Sequence, residues 1–472
     1  MSEAFPIGQK VSPASSFNTR TTLLARIPFR YAYDACGEMS FHWSCFFPQF
    51  RDGFGGIAFS PTGYMVGYVA QRTFEEKAFL ASAKNGDSVT WSIGNTGIPS
   101  FGADGSSAFI AFEDRKQHVV INGIRGKSYD QVGRVVFSPD GHRNAYTAQR
   151  GEKTFVVIDG REEQAQFDEI DGDSITFSRD GRHVAYIGTD RKEKKQFVVL
   201  DGRVSRELPG WIGYRNPSQL VAHEKFPEMA MNRGGTAIAV PIILYHPDAI
   251  RADETLGAFI AIIINDGSRL QHLQGKQYER VSPPVFTDET VAYAACDQDC
   301  FLVIGTNQLE DHAGIDFDSL AVSQDGRSVA FVAYEEEHGG RQYIVWKGGR
   351  SRVYEGGVSN LRFPPGSDLP VYFVHDEEDR TLLMHGNKEL DRGDTRFWGQ
   401  VKFAFSLDGQ SMAWAGVTSN GQYAMVVNGK RGRLYDYVWE PHFSPDGKYV
   451  GYGARDGHNL WWVVEKAKQS TS

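Results

Sequence analysis

The chain has 472 residues, a net charge of −9 at pH 7 and 41% hydrophobic residues. The acidic balance excludes non-specific nucleic-acid binding, which depends on neutralising phosphates, and four cysteines are too few for a disulfide scaffold. No apolar run approaches the roughly 18–20 residues of a membrane helix, and 13% aromatics with 51 Gly predict many short strands and tight turns in a soluble, cytoplasmic protein.

The opening MSEAFPIGQK lacks a basic segment followed by an apolar one, so no secretory signal is expected. Further on, Tyr33-Asp34 precedes Phe41 at the same offset as Tyr129-Asp130 precedes Phe137. We therefore expect residues 1–54 to supply a strand, near 29–34, to the end of the chain. From Phe59 onward one pattern recurs. An apolar anchor stands before a Ser-Pro-Asp-Gly turn or a relative of it: Phe59, Phe101, Phe137, Phe177, Met231, Phe286, Val322, Phe363, Phe405 and Phe443. An Ala-Tyr pair or a relative follows most anchors, as at Ala145-Tyr146, Ala185-Tyr186 and Ala292-Tyr293. A polar gap comes next, then an apolar triplet closed by Asp-Gly or Asn-Gly, as in VVIDG and VVLDG.

Each unit reads as strand a, turn, strand b, variable loop, strand c, turn, strand d. Four antiparallel strands repeated in series predict an all-β propeller over residues 55–472. A row of such sheets left open would expose strand edges at both ends, and closure removes them. The last unit stops after NLWWVVEKAK, without a strand d. One missing strand favours one closed ring of about ten blades. The alternative is two smaller tandem propellers divided within 205–285, where the anchor spacing is longest. The pattern resembles the TolB-like and WD-like propeller repeats over roughly 55–465. That resemblance implies the fold and no particular activity, because such propellers serve many roles.

The repeated Asp-Gly pairs fit turn geometry rather than chemistry: Gly supplies positive φ, and Asp bonds its own backbone. The residue before each anchor is small or β-branched except at Arg362 and His442, which are candidate contacts in the central channel. Function is expected where the chain varies, on the end formed by b–c loops and d–a connections. There, units two to four carry more cations than acids, Arg191, Lys192, Lys194 and Lys195 among them. Units six to eight are strongly acidic, with Asp297, Asp299, Glu335, Glu336, Glu337, Asp376, Glu377, Glu378 and Asp379. Two arcs of opposite charge would form a polarised docking face for another protein, or for a small ligand.

No cofactor or metal is expected. Cys36, His42 and Cys45 lie in a different unit from Cys296 and Cys300, so four zinc ligands do not converge. A local contact between Cys296 and Cys300 is available, but cytosolic thiols are expected to stay reduced. GIRGKS, 123–128, ends like a phosphate-binding loop but lacks its first glycine and a following helix. Neither G-x-S-x-G nor H-E-x-x-H occurs. Trp461-Trp462 fits alternating burial in a strand better than a stacking platform. The leading expectation is a non-catalytic scaffold or sensor propeller. The alternative is an enzyme, a glycan hydrolase or lyase, with two carboxylates about 5–10 Å apart at the channel mouth.

Overall fold

The computed structural model describes residues 20–26, 57–61, 65–72, 75–82, 88–90, 99–212, 229–245, 255–267, 269–288, 290–336, 340–375, 381–392, 403–418, 421–457 and 459–467. These form ten antiparallel sheets. In chain order they span 57–90, 100–129, 131–162, 169–204, 211–274, 280–312, 314–350, 358–392, 403–435 and 437–466. Within the first nine sheets the strands follow one another in sequence, a to d, which is the meander of a propeller blade. The only helical turn among the described residues is the 3-10 turn Gly172–Ser174. Among the described residues no helix is long and apolar enough to cross a membrane.

Nine of the ten anchors lie in strand a, and Phe363 directly follows Val358–Arg362. In six sheets strand a is broken into two short pieces, both paired with strand b. The break strands an amide of strand b, and a serine side chain satisfies it. Ser174 Oγ accepts from Ile187 N at 2.9 Å, Ser282 Oγ from Ala294 N at 2.9 Å, and Ser319 Oγ from Val332 N at 2.8 Å.

The c–d turns of the second, third, fourth and ninth sheets are of the mirror-image hairpin type, with both central residues at positive φ. Asp159-Gly160 has φ of 49° and 76°, Asp201-Gly202 51° and 75°, and Asn428-Gly429 49° and 78°. The Asx side chain also reaches across to strand b: Asp201 Oδ1 accepts from Val184 N at 3.0 Å and Asn428 Oδ1 from Met412 N at 2.9 Å. One residue type thus makes the turn and fixes the register beside it.

The chain divides into two compact units, 1–144 with 394–472, and 145–393. Both boundaries lie outside 205–285. In the second unit, consecutive sheets pack face to face. Ile187, Val198 and Leu200 of the fourth sheet meet Ile238, Val240, Ile242 and Phe259 of the fifth. Ala294, Leu302 and Cys296 of the sixth meet Phe331 and Ala333 of the seventh. Each large side chain so buried contributes roughly 1.5–3 kcal/mol. Arg179, on the a–b turn of the fourth sheet, donates to Gln324 O on the a–b turn of the seventh at 3.3 Å.

In the first unit, Met425, Val427 and Tyr435 of the ninth sheet pack on Val438, Val450, Tyr452 and Val463 of the tenth. The tenth sheet takes its outer strand from the start of the chain. Arg20–Arg26 runs antiparallel to Asn459–Lys466, from Arg20 opposite Val464 to Arg26 opposite Asn459. Leu24 of this strand is fully buried. The strand lies earlier than the 29–34 expected from the Tyr-Asp spacing, a segment outside the described residues.

Candidate docking face

The two ends of a sheet are built differently. At one end the a–b and c–d turns meet: His183, closing an a–b turn, bonds through Nδ1 to Asp201 Oδ2 of a c–d turn at 2.7 Å. The a–b turn itself is a repeated unit. In S-x-D-G the serine hydroxyl donates to the aspartate two residues on and accepts an amide five residues on. Ser178, Ser323, Ser406 and Ser444 all do this, donating at 2.5–2.7 Å. The serine bond is the main cause that holds the carboxyls of Asp140, Asp180, Asp325 and Asp446 below their ordinary value. These aspartates are committed to the turn.

At the other end the b–c tips meet the d–a links, and carboxylates in the links tie them together. Asp168, in the link after the third sheet, accepts from Lys153 Nζ at 2.6 Å and from Arg191 N at 3.0 Å. It thereby clips the b–c tip of the third sheet to that of the fourth. The Lys153 bond lowers the Asp168 pKa and raises that of Lys153. In the first unit Asp436 accepts from Gly457 N at 2.6 Å. A buried aromatic precedes both clips, Phe167 and Tyr435, and Tyr129, Tyr278 and Tyr354 stand in the same place before Asp130, Glu279 and Glu355. Phe167 lies flat on Gly188, where an added Cβ would stand 2.5 Å from the ring. Tyr-Asp, noticed in the sequence as a spacing, is therefore a wedge followed by a clip.

The links change the charge reading. Arg191 pairs with Glu169 at 2.8 Å, Arg150 with Glu162 at 3.0 Å, and Lys195 with Glu207 at 3.4 Å. Lys116 pairs with Asp130. The expected basic arc, counted on b–c loops alone, is thus partly met by carboxylates of links, a d strand and, at Glu169, a strand a. Lys192 and Lys194 sit at the tip of their loop, where Lys192 N and Glu193 N bond to Asp190.

Among the expected acidic residues, Glu335 pairs with Arg341 at 2.7 Å and Asp297 accepts from Glu279 N at 3.0 Å. Asp299 and Glu336 enter no ion pair among the described residues. Glu337, Asp376, Glu377, Glu378 and Asp379 lie outside them. Arg362 is exposed at the end of a strand whose bulge contains Asn360 at φ 56°. His442 is half-buried and its ring stacks on Trp462, with centroids 6.5 Å apart. Trp462 in turn packs against Phe59 at 6.1 Å, so it is not an open platform. No group of three or more His, Cys, Asp or Glu able to hold a metal occurs among the described residues.

One expectation is corrected. Cys296 and Cys300 are joined as a disulfide, with Cα atoms 4.1 Å apart. They end strand b and begin strand c of the sixth sheet, directly opposite one another. The Asp297–Asp299 tip is just long enough to bring them there. The expectation of free thiols rested on compartment and ignored this register.

No known family model matches the chain, and no curated protein matches it in sequence. Among solved structures it resembles the Dos1 propeller, at 9% identity and TM-score 0.39, over 70% of this chain and 90% of that one. It also resembles an oligogalacturonate lyase in complex with manganese, at 12% identity and TM-score 0.36, over 99% and 98%. A third is a eukaryotic initiation factor, at 12% identity and TM-score 0.41, over 85% and 92%. At these identities no activity or partner carries over to this chain.

Proposed function

We propose that the protein is a non-catalytic propeller of the TolB-like, WD-like repeat type that docks a partner protein through its b–c tips and d–a links, as a scaffold or sensor subunit. The observation that carries this reading is the contrast along that end. Arg150, Lys153, Arg191 and Lys195 are paired with nearby carboxylates, which leaves Lys192 and Lys194 as the cations of those tips outside an ion pair. By contrast, Asp299 and Glu336 enter no ion pair among the described residues, and the next tip in sequence, 376–379, carries four acids. A partner presenting Lys and Arg fits such a surface, and charge complementarity would set its encounter rate and register. The clips hold the tips in place before binding, which reduces the ordering cost of association.

The enzyme reading has less support. Asp316, Glu163 and Glu465 are half-buried carboxyls held above their ordinary values by burial, and Asp316 is bound up in a turn. Its oxygen accepts from Asp318 N at 3.0 Å and its carbonyl from Ser319 Oγ. It forms a turn that the D-G-D-S of 171–174 repeats. The test is capture from native lysate with the intact chain and with a variant carrying Asp299→Lys, Glu336→Lys, Glu377→Lys and Glu378→Lys. A partner retained by the wild type, lost by the variant and lost with salt supports the reading. A partner held equally by both overturns it.

A further inference from the structure

We infer that Cys296 and Cys300 are a reversible thiol–disulfide pair, a redox modification site on the b–c tip of the sixth sheet. This inference does not rest on the docking reading. The bond closes a loop of only three intervening residues, and strands Val291–Cys296 and Cys300–Ile304 are already in register through their own backbone pairing. The sheet therefore does not need the bond to find its fold, and it can persist in both redox states. Antiparallel neighbours alternate between wide and narrow pairs, and the narrow ones bring side chains closest. Directly opposed cysteines at 4.1 Å keep their sulfurs in reach of one another after reduction, poised to re-form the bond.

The tip is also placed to report its state. Asp297, beside one sulfur, accepts from Glu279 N on the preceding link. Arg280, which opens strand a of the same sheet, pairs with Cys296. Cys300 pairs with His312, whose Nδ1 bonds to the Tyr343 hydroxyl of the seventh sheet at 2.9 Å. Breaking the bond removes the covalent tie across the tip while leaving the strands paired, so a loosened tip would be felt at these partners.

The co-reactant is a small-molecule disulfide such as oxidised glutathione. One cysteine thiolate attacks a glutathione sulfur, expels one glutathione thiolate and leaves a mixed disulfide. The second cysteine thiolate attacks the protein sulfur of that bond and expels the other glutathione. The protein gives up two thiol protons and two electrons, two glutathione thiols are formed, and reduction is the reverse. Both cysteines are buried while Asp297–Asp299 is exposed, so exchange requires the tip to open. Asp297 and Asp299 flank the site and repel anionic thiolates, so a cationic thiol such as cysteamine should exchange faster than glutathione.

The test uses the full chain with Cys36→Ala and Cys45→Ala, equilibrated in buffers of defined reduced-to-oxidised glutathione ratio, then alkylated and weighed. The expected result is one two-electron curve reached from either direction, with the protein folded throughout. Cysteamine should react several-fold faster than glutathione at low salt and lose that advantage at high salt. Amide exchange at 297–301 and 279–281 should rise about tenfold on reduction, and the Cys296→Ala, Cys300→Ala variant should match the reduced form. A pair that stays bridged in excess thiol until denaturant is added, that never bridges in the folded protein, or that switches without altering exchange overturns the proposal.

Discussion

At the Ser-x-Asp-Gly turns one hydroxyl satisfies a carboxylate and a buried amide together. Ser406 is fully buried, donates to Asp408 and accepts from Ser411 N. Ser406→Ala leaves that amide without a partner and should cost about 1–3 kcal/mol, read as a lower urea midpoint at unchanged slope. The turn aspartates also set an acid limit. Each has a lower pKa folded than unfolded, so its contribution is complete above the ordinary value of 3.8 and is lost as pH falls through the folded value, about 2 for Asp446. Replacing Asp140, Asp180, Asp325 and Asp446 together by Asn should flatten the fall in Tm below pH 4. An unchanged acid profile would remove these groups from the account. Glu465 has the opposite sign. Burial raises its pKa, although Tyr452 Oη donates to it at 2.7 Å. Its stabilising share is present below the ordinary value of 4.5 and is lost as pH rises through the folded one. Glu465→Gln keeps an acceptor for Tyr452 and should raise Tm at pH 7 but not at pH 4.

At the scale of an element, the sequence disclosed what repeats within one unit and concealed what joins two. The S-x-D-G and Asx-Gly turns were legible because each is a local φ and hydrogen-bond requirement. Alternation of apolar residues gave strands b and c for the same reason. The break in strand a was not legible, since its amide is satisfied by a serine thirteen residues from Ile187 in the fourth sheet. Nor was the role of Gly188, whose missing side chain makes room for Phe167 of the preceding link. Gly188→Ala should destabilise by about 1–3 kcal/mol through overpacking, and Phe167→Leu in the same chain should recover part of that loss. Urea titrations of the two variants check both statements. The disulfide was missed similarly: the Cys-x-x-x-Cys spacing is informative only once the hairpin register is known.

On the whole-molecule scale, ten anchors in the sequence correspond to ten sheets among the described residues, and the propeller fold follows from the repeat. The charge of the b–c face was only half legible. Counting loop tips finds the cations but not Asp168 and Glu207, which lie in links, or Glu169, which opens a strand a. Surface pairs of this kind contribute roughly 0.2–1 kcal/mol each, so they shape the face more than they hold it together. The scaffold depends more on its tenth sheet, where the sequence showed a missing outer strand and the structure supplies Arg20–Arg26. The most direct test is to remove residues 1–26 and follow urea unfolding together with amide exchange in Asn459–Lys466. We expect the truncated chain to lose protection along that strand, to unfold at lower urea, and to regain both when a peptide of residues 18–28 is added. A truncated chain that unfolds at the same midpoint with Asn459–Lys466 still protected would contradict the account.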